Sequence, residues 1–189
     1  MTLISAYGDA DTGWTNSERR SCVYSLKKLP SIIAAMRRSK YRIRQELEKY
    51  PQLRLRSIVD PAGDTGAFLI VTFQDPATAK SVSQALRAEG IVTSSQGVNN
   101  VVMTDWGLHI YSNNVSLVNR TSVDGKGFPW KLPDNRGSNQ QYARGTCAVA
   151  DRLFECSVLF AIPSCLTERD EDDIIHAFRK VLAHFLDCA

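Results

Sequence analysis

The run Ala67-Phe68-Leu69-Ile70-Val71-Thr72-Phe73 restricts the folding of this chain more than any other feature, because a helix start follows it almost at once. A stretch this apolar predicts a central strand covered on both faces. Directly behind it, Asp75 supplies an N-cap acceptor and Pro76 occupies the first helical position, where a missing amide costs nothing. Ala79, Val82 and Leu86 then recur at helical spacing up to the terminator Gly90. Residues 91–94 read as the next strand, so residues 68–94 form a strand, helix, strand unit. Alternation of this kind places the chain in the α/β class.

The flanking segments extend that reading. Across residues 17–50, Cys22, Leu26, Leu29, Ile33, Met36, Ile43 and Leu47 recur at helical spacing. Pro30 cannot donate its amide, so the spacing predicts a long helix that kinks or restarts there, in two pieces set in line. Arg37, Arg38, Lys40, Arg42 and Arg44 form its basic face. They could touch phosphate, but with a formal net charge of only +3 a solvated face is the simpler expectation. Residues 53–59 alternate apolar and basic as a strand with one buried face, and residues 60–64 read as a turn.

Residues 96–144 are rich in Gly, Asn, Ser and aromatic residues, and a loop of such length is commonly functional or disordered. Its tryptophans and tyrosines favour function. Residues 145–154 then read as a short helix and residues 157–162 as a strand. Thr167 caps a last helix with acids crowding its N-terminus and Arg179, Lys180 and His184 near its C-terminus. There is no internal repeat, so residues 1–16 are expected as an arm and residues 17–189 as one domain. A hydrophobic fraction of 43% supports a core without a staple, and the five cysteines share no CxxC spacing. With no signal pattern and no apolar run of membrane-spanning length, the expected location is cytoplasmic.

Three stretches taken together carry a resemblance. They are Leu26-Lys27-Lys28-Leu29-Pro30-Ser31-Ile32-Ile33, Leu86-Arg87-Ala88-Glu89-Gly90-Ile91, and Phe160-Ala161-Ile162-Pro163-Ser164-Cys165-Leu166-Thr167-Glu168. In order and spacing they resemble the C-terminal part of the DegT/DnrJ/EryC1/StrS aminotransferases, fold-type I enzymes that aminate keto sugars. The resemblance implies a small-domain α/β sandwich with a long kinked N-terminal helix. In that family a large domain supplies the Schiff-base lysine of pyridoxal phosphate (PLP), and this chain begins after it. Lys40, Lys80, Lys126 and Lys131 lack the family's Ser-x-x-Lys setting with its following glycines. Where the family carries an asparagine that reaches a neighbouring subunit's cofactor phosphate, this chain has Asp11.

The implied function is the small-domain subunit of a split, heteromeric PLP-dependent aminotransferase. A partner chain would carry the lysine and hold PLP, and a keto sugar or related carbonyl compound would be the acceptor. The alternative, favoured by the altered segment around Asp11, is a non-catalytic regulatory or interaction protein derived from such a domain. No nucleic-acid or membrane partner is expected. Related enzymes place small-domain residues over the substrate mouth at the position of residues 105–114. There, His109 could donate to a hydroxyl or move a proton, while Tyr111, Asn113 and Asn114 could read hydroxyls. His109 could equally be a satisfied strand histidine. Arg120, Arg136 and Arg144 could pair with a carboxylate or phosphate. Trp106 and Trp130 could stack on a ligand or anchor a partner.

Overall fold

The computed structural model describes residues 16–92, 100–107, 110–122, 124–135 and 140–186. Its first element, α1 (Asn16–Leu47), is a single helix of 32 residues with Pro30 inside it, where the sequence predicted two pieces. Proline removes one backbone donor from the ladder. Next to that gap, the Ser31 hydroxyl donates to the Lys28 carbonyl at 2.8 Å. The two halves of α1 differ in burial. Ile43 and Leu47 are buried in the core, whereas Val23, Tyr24, Leu26, Leu29 and Ile32 are exposed.

Among the described residues four short strands follow: β1 (Arg54–Leu55), β2 (Phe68–Thr72), β3 (Val101–Val102) and β4 (Ser157–Ala161). Their order in the sheet is β1-β2-β4-β3, with every neighbouring pair antiparallel. Of the alternating segment 53–59, only Arg54 and Leu55 pair as strand. Residues 91 and 92 are outside any strand, and residues 93–99 lie outside the described residues. Among the described residues the first strand after the helix α2 (Pro76–Ala88) is β3, and β4 separates it from β2.

This topology also changes which strand is central. Residues 157–160 of β4 are all buried. Strand β2 instead alternates, with Leu69 and Val71 buried and Phe68 44% exposed. The apolar run was long enough for a strand covered twice, but here one of its faces has only partial cover.

The main core lies on the other face. Leu69, Val71, Val158 and Phe160 meet Ile43 and Leu47 of α1, Val82 and Leu86 of α2, and Phe178 and Leu182 of α5 (Glu168–Leu186). On the opposite face a smaller cluster joins Val101, Met103 and Leu159 to Ile70, Trp106 and Phe154. Here the cover consists of the 3₁₀ turn Met103–Asp105 and the helix α4 (Ala148–Cys156).

Helix starts follow the local chemistry. Asp75 accepts from the Thr78 amide at 2.9 Å. At α5, the Thr167 hydroxyl accepts from the Asp170 amide at 3.2 Å, and the Asp170 carboxylate accepts from the Thr167 amide at 2.7 Å. These reciprocal bonds satisfy donors that a helix start leaves unpaired.

The basic run of α1 faces its own chain, contrary to the solvated-face expectation. Glu171 of α5, 0% exposed, accepts from Ser39 at 2.7 Å and from Arg42 at 2.9 Å, with Arg38 at 3.2 Å. Burial alone would raise the Glu171 carboxyl, but these three donors outweigh it and hold the pKa below its ordinary value. One turn further along α1, Arg179 and Lys49 hold the Glu46 carboxyl down to about 2. Lys40, also expected on the surface, is buried and pairs with Asp64 at 2.7 Å. Arg37 reaches the Pro61 carbonyl, so the 60–66 turn is fastened to α1. Gly66 completes the contact at φ +78°, with its backbone against Met36 and Arg37. No helix among the described residues is long and apolar enough to cross a membrane.

Candidate functional site

The loop residues singled out in the sequence divide into two groups. Tyr111 lies at the start of the 3₁₀ turn Tyr111–Asn113 and reaches back to α4, its hydroxyl 2.9 Å from each oxygen of Asp151. The same hydroxyl accepts from the Cys147 amide at 3.2 Å. Burial and the neighbouring Asp151 charge raise the Tyr111 pKa, so the group stays a neutral donor. Asn113 donates to the Gly107 carbonyl at 2.9 Å. Asn114 caps the short helix α3 (Val115–Val118) by accepting from the Leu117 amide. Arg144 pairs with Glu155 at 2.5 Å. Asn113, Arg144 and Asp151 border a cavity of about 40 Å³, little larger than a single water needs.

Arg120 and Trp130 belong to the second group, further along the loop. Arg120 adopts φ 50° and donates to the Gln140 carbonyl. The Trp130 indole donates to the Thr121 carbonyl at 3.0 Å, and its ring lies 5.8 Å from that of Tyr142. Each of these side chains thus has a partner within its own loop. His109 and Arg136 lie outside the described residues.

Two recesses flank β1 and β2, and a third, of about 600 Å³, lies between α1 and α5. A polar cavity of about 430 Å³ is lined by Lys40, Arg44, Arg56, Asp60 and Asp64. On the thinly covered face of the sheet, a cleft of about 510 Å³ runs from Arg54 and Arg56 across Ile70 and Leu159 to Trp106 and Phe154. The sheet register explains its composition. Arg54 is opposite Thr72, which is opposite Ser157, so these three share one row of one face. The Arg56 amide donates to the Ile70 carbonyl, and Ile70 is opposite Leu159, which is opposite Val101. A polar row and an apolar row therefore run side by side from a basic edge. Phe68 and Trp106 meet edge to face at 5.7 Å beside them. The apolar and basic alternation of residues 53–59 was the signal for Arg54 and Arg56. Nothing in the sequence pointed to Trp106 packing on Phe68 in the same cleft.

A PLP site requires a lysine whose amine is free to form an imine. Lys40 and Lys49 line cavities here, and their amines are committed to Asp64 and Glu46. Lys80, Lys126 and Lys131 are exposed. These residues do not fit a cofactor held by this chain alone. Among the described residues no cluster of His, Cys, Asp and Glu could hold a metal ion.

No protein-family profile matches the chain. Among solved structures, the chain is similar to the aminotransferase TlmJ from Streptoalloteichus hindustanus, with a TM-score of 0.53 and 16% sequence identity. The match covers 86% of this chain and 35% of that one, so the chain spans about a third of that protein's length. At this identity the likeness concerns the fold. The antiparallel four-stranded sheet with its long N-terminal helix is an aminotransferase-like α/β arrangement.

Proposed function

We propose that the chain serves as the small-domain subunit of a PLP-dependent aminotransferase related to the DegT/DnrJ/EryC1/StrS enzymes, working against a large domain that carries the cofactor lysine. The observation that carries this reading is the uncovered N-terminal half of α1. Tyr24 is 67% exposed and Leu26 58% exposed, on the same half-helix as Val23, Leu29 and Ile32. A concentration of large apolar side chains on one helix segment marks a surface that another protein covers. The chain would then close the site and orient a keto sugar or related carbonyl compound. Cofactor chemistry belongs to the partner, because the lysines here do not fit that role.

The test is co-expression with a large-domain chain that bears the PLP lysine. A yellow complex is expected to co-purify, and Leu26→Glu with Leu29→Glu is expected to release this chain while leaving its own unfolding midpoint unchanged. Retention of the doubly substituted chain in the complex would remove the basis of the proposal.

A second reading, a non-catalytic regulatory subunit, draws on one specific observation. Tyr111 directs its hydroxyl to Asp151 of α4, and Asn113, Asn114 and Trp130 direct a polar group into their own loop. On that reading the complex forms, but its rate does not depend on these residues.

A further inference from the structure

The cleft on the thin side of the sheet combines features that a surface furrow does not need. Its volume of about 510 Å³ falls within the size range of small-molecule sites, roughly 300–1,000 Å³. Its walls are apolar and aromatic, formed by Ile70, Leu159, Phe154 and the Phe68–Trp106 pair. Two guanidinium groups stand at one end, and among the described residues no acidic side chain lines the cleft. Arg54 and Arg56 are exposed, and among the described residues neither side chain has a hydrogen-bonding or ion-pair partner. This distinguishes them from the α1 arginines Arg38 and Arg42, whose charge Glu171 takes up. Phe68 and Leu153 also leave much of their apolar surface in water along the same cleft.

We infer that this cleft binds a small organic anion with a flat apolar body, the rings lying against Trp106 and Phe68 and the acidic group meeting Arg54 and Arg56. Backbone geometry sets the polarity of the site. Arg56 directly follows β1, and its amide continues the ladder to the Ile70 carbonyl, so its side chain and that of Arg54, two positions before, emerge on the face where Ile70 and Thr72 emerge from β2. A carboxylate or sulfonate at that edge can accept from both guanidinium forks, while an apolar ring system extends along the row towards Leu159. The hydroxyl pair Thr72 and Ser157, 2.7 Å apart, adds a polar contact beside the rings. This inference is independent of the transamination reading, since it uses neither PLP nor the exposed half of α1.

The probe is 8-anilinonaphthalene-1-sulfonate, a fused-ring sulfonate that fluoresces on entering an apolar site. Titration of the purified chain is expected to saturate at one probe per chain, with energy transfer from tryptophan. Arg54→Gln with Arg56→Gln is expected to weaken binding by about a hundredfold, the scale of two lost charge-assisted hydrogen bonds. Both side chains are exposed, so the unfolding midpoint of the double variant should match the parent. 2-Naphthoate is expected to displace the probe at concentrations about tenfold below those needed with neutral 2-naphthamide. Three results would overturn the assignment. They are binding that rises without saturation, affinity unchanged by the two substitutions, or loss of probe binding once a partner chain is bound, which would make the cleft a chain-to-chain interface. Failure of transamination with the probe still bound would leave the cleft assignment standing.

Discussion

Replacing Glu171 with glutamine tests how the long helix is locked to the rest of the domain. The carboxylate is fully buried and accepts from Ser39 and Arg38 through one oxygen and from Arg42 through the other. In Glu171→Gln one oxygen survives, but an amide N–H group turns towards a guanidinium. The change removes one charge-assisted bond, worth about 1.5–3 kcal/mol. Arg38 and Arg42 are 53% and 38% exposed and can regain water, which keeps the loss near the middle of that range, about 2 kcal/mol. For a domain of this size that corresponds to a fall in Tm of about 4–8 °C.

The effect depends on pH in a defined direction. The folded-state pKa of Glu171 lies below its ordinary value of 4.5, so its contribution is fully present above that pH and is lost as pH falls through the folded value. Urea unfolding at pH 7 and at intervals below 4.5 is therefore expected to show the parent and Glu171→Gln converging as pH drops. Two curves separated equally at every pH would show that shape, and not charge, explains the role of Glu171. Glu46 changes with the same sign, its carboxyl titrating at about 2 in the folded state, so the parent itself loses stability throughout this acid range.

Gly66→Ala is expected to destabilise by about 3 kcal/mol or more in urea unfolding, because a Cβ would lie 2.5 Å from the Arg37 amide nitrogen at a φ that L residues disfavour. An unchanged midpoint would mean that the 60–66 turn does not rest against α1. Asn100→Ala should cost about 2–3 kcal/mol, since its buried amide accepts from the Ser83 hydroxyl and donates to the Ser83 and Ile91 carbonyls. The check is the same unfolding assay, with Ser83→Ala as a smaller companion effect. With a thiol reagent, exposed Cys147 and Cys165 should react first, while buried Cys156, its pKa raised by burial, should wait for unfolding. Prompt labelling of Cys156, followed by mass spectrometry, would contradict the placement of α4 against the sheet.

Much of the helical framework could be read from the chain because its signals are local. Asp75 with Pro76 and Thr167 with Asp170 mark helix starts through contacts within a few residues. Strand partners are set by long-range contacts, and there the sequence misled. The insertion of β4 between β2 and β3 depends on residues some ninety positions from β2, and no pattern around residue 70 encodes it. The basic run of α1 was misread for the same reason. Its partners Glu171 and Asp64 lie in α5 and in the 60–66 turn, and counting charges along one helix cannot find them. Of the candidate site, Tyr111 and Asn113 could be picked out as polar loop residues, but their inward bonds to Asp151 and Gly107 could not. Arg54 and Arg56 could have been found from strand alternation, had the thin side of the sheet been anticipated.

The most direct measurement of the proposed role is amino transfer by a reconstituted mixture. A co-expressed large-domain chain bearing the PLP lysine is assayed with glutamate and a keto sugar, with and without the purified 189-residue chain. The account predicts that turnover appears only when both are present and disappears with Leu26→Glu and Leu29→Glu. Full turnover by the large-domain chain alone, or a borohydride-stable PLP adduct on a lysine of this chain by itself, would contradict it.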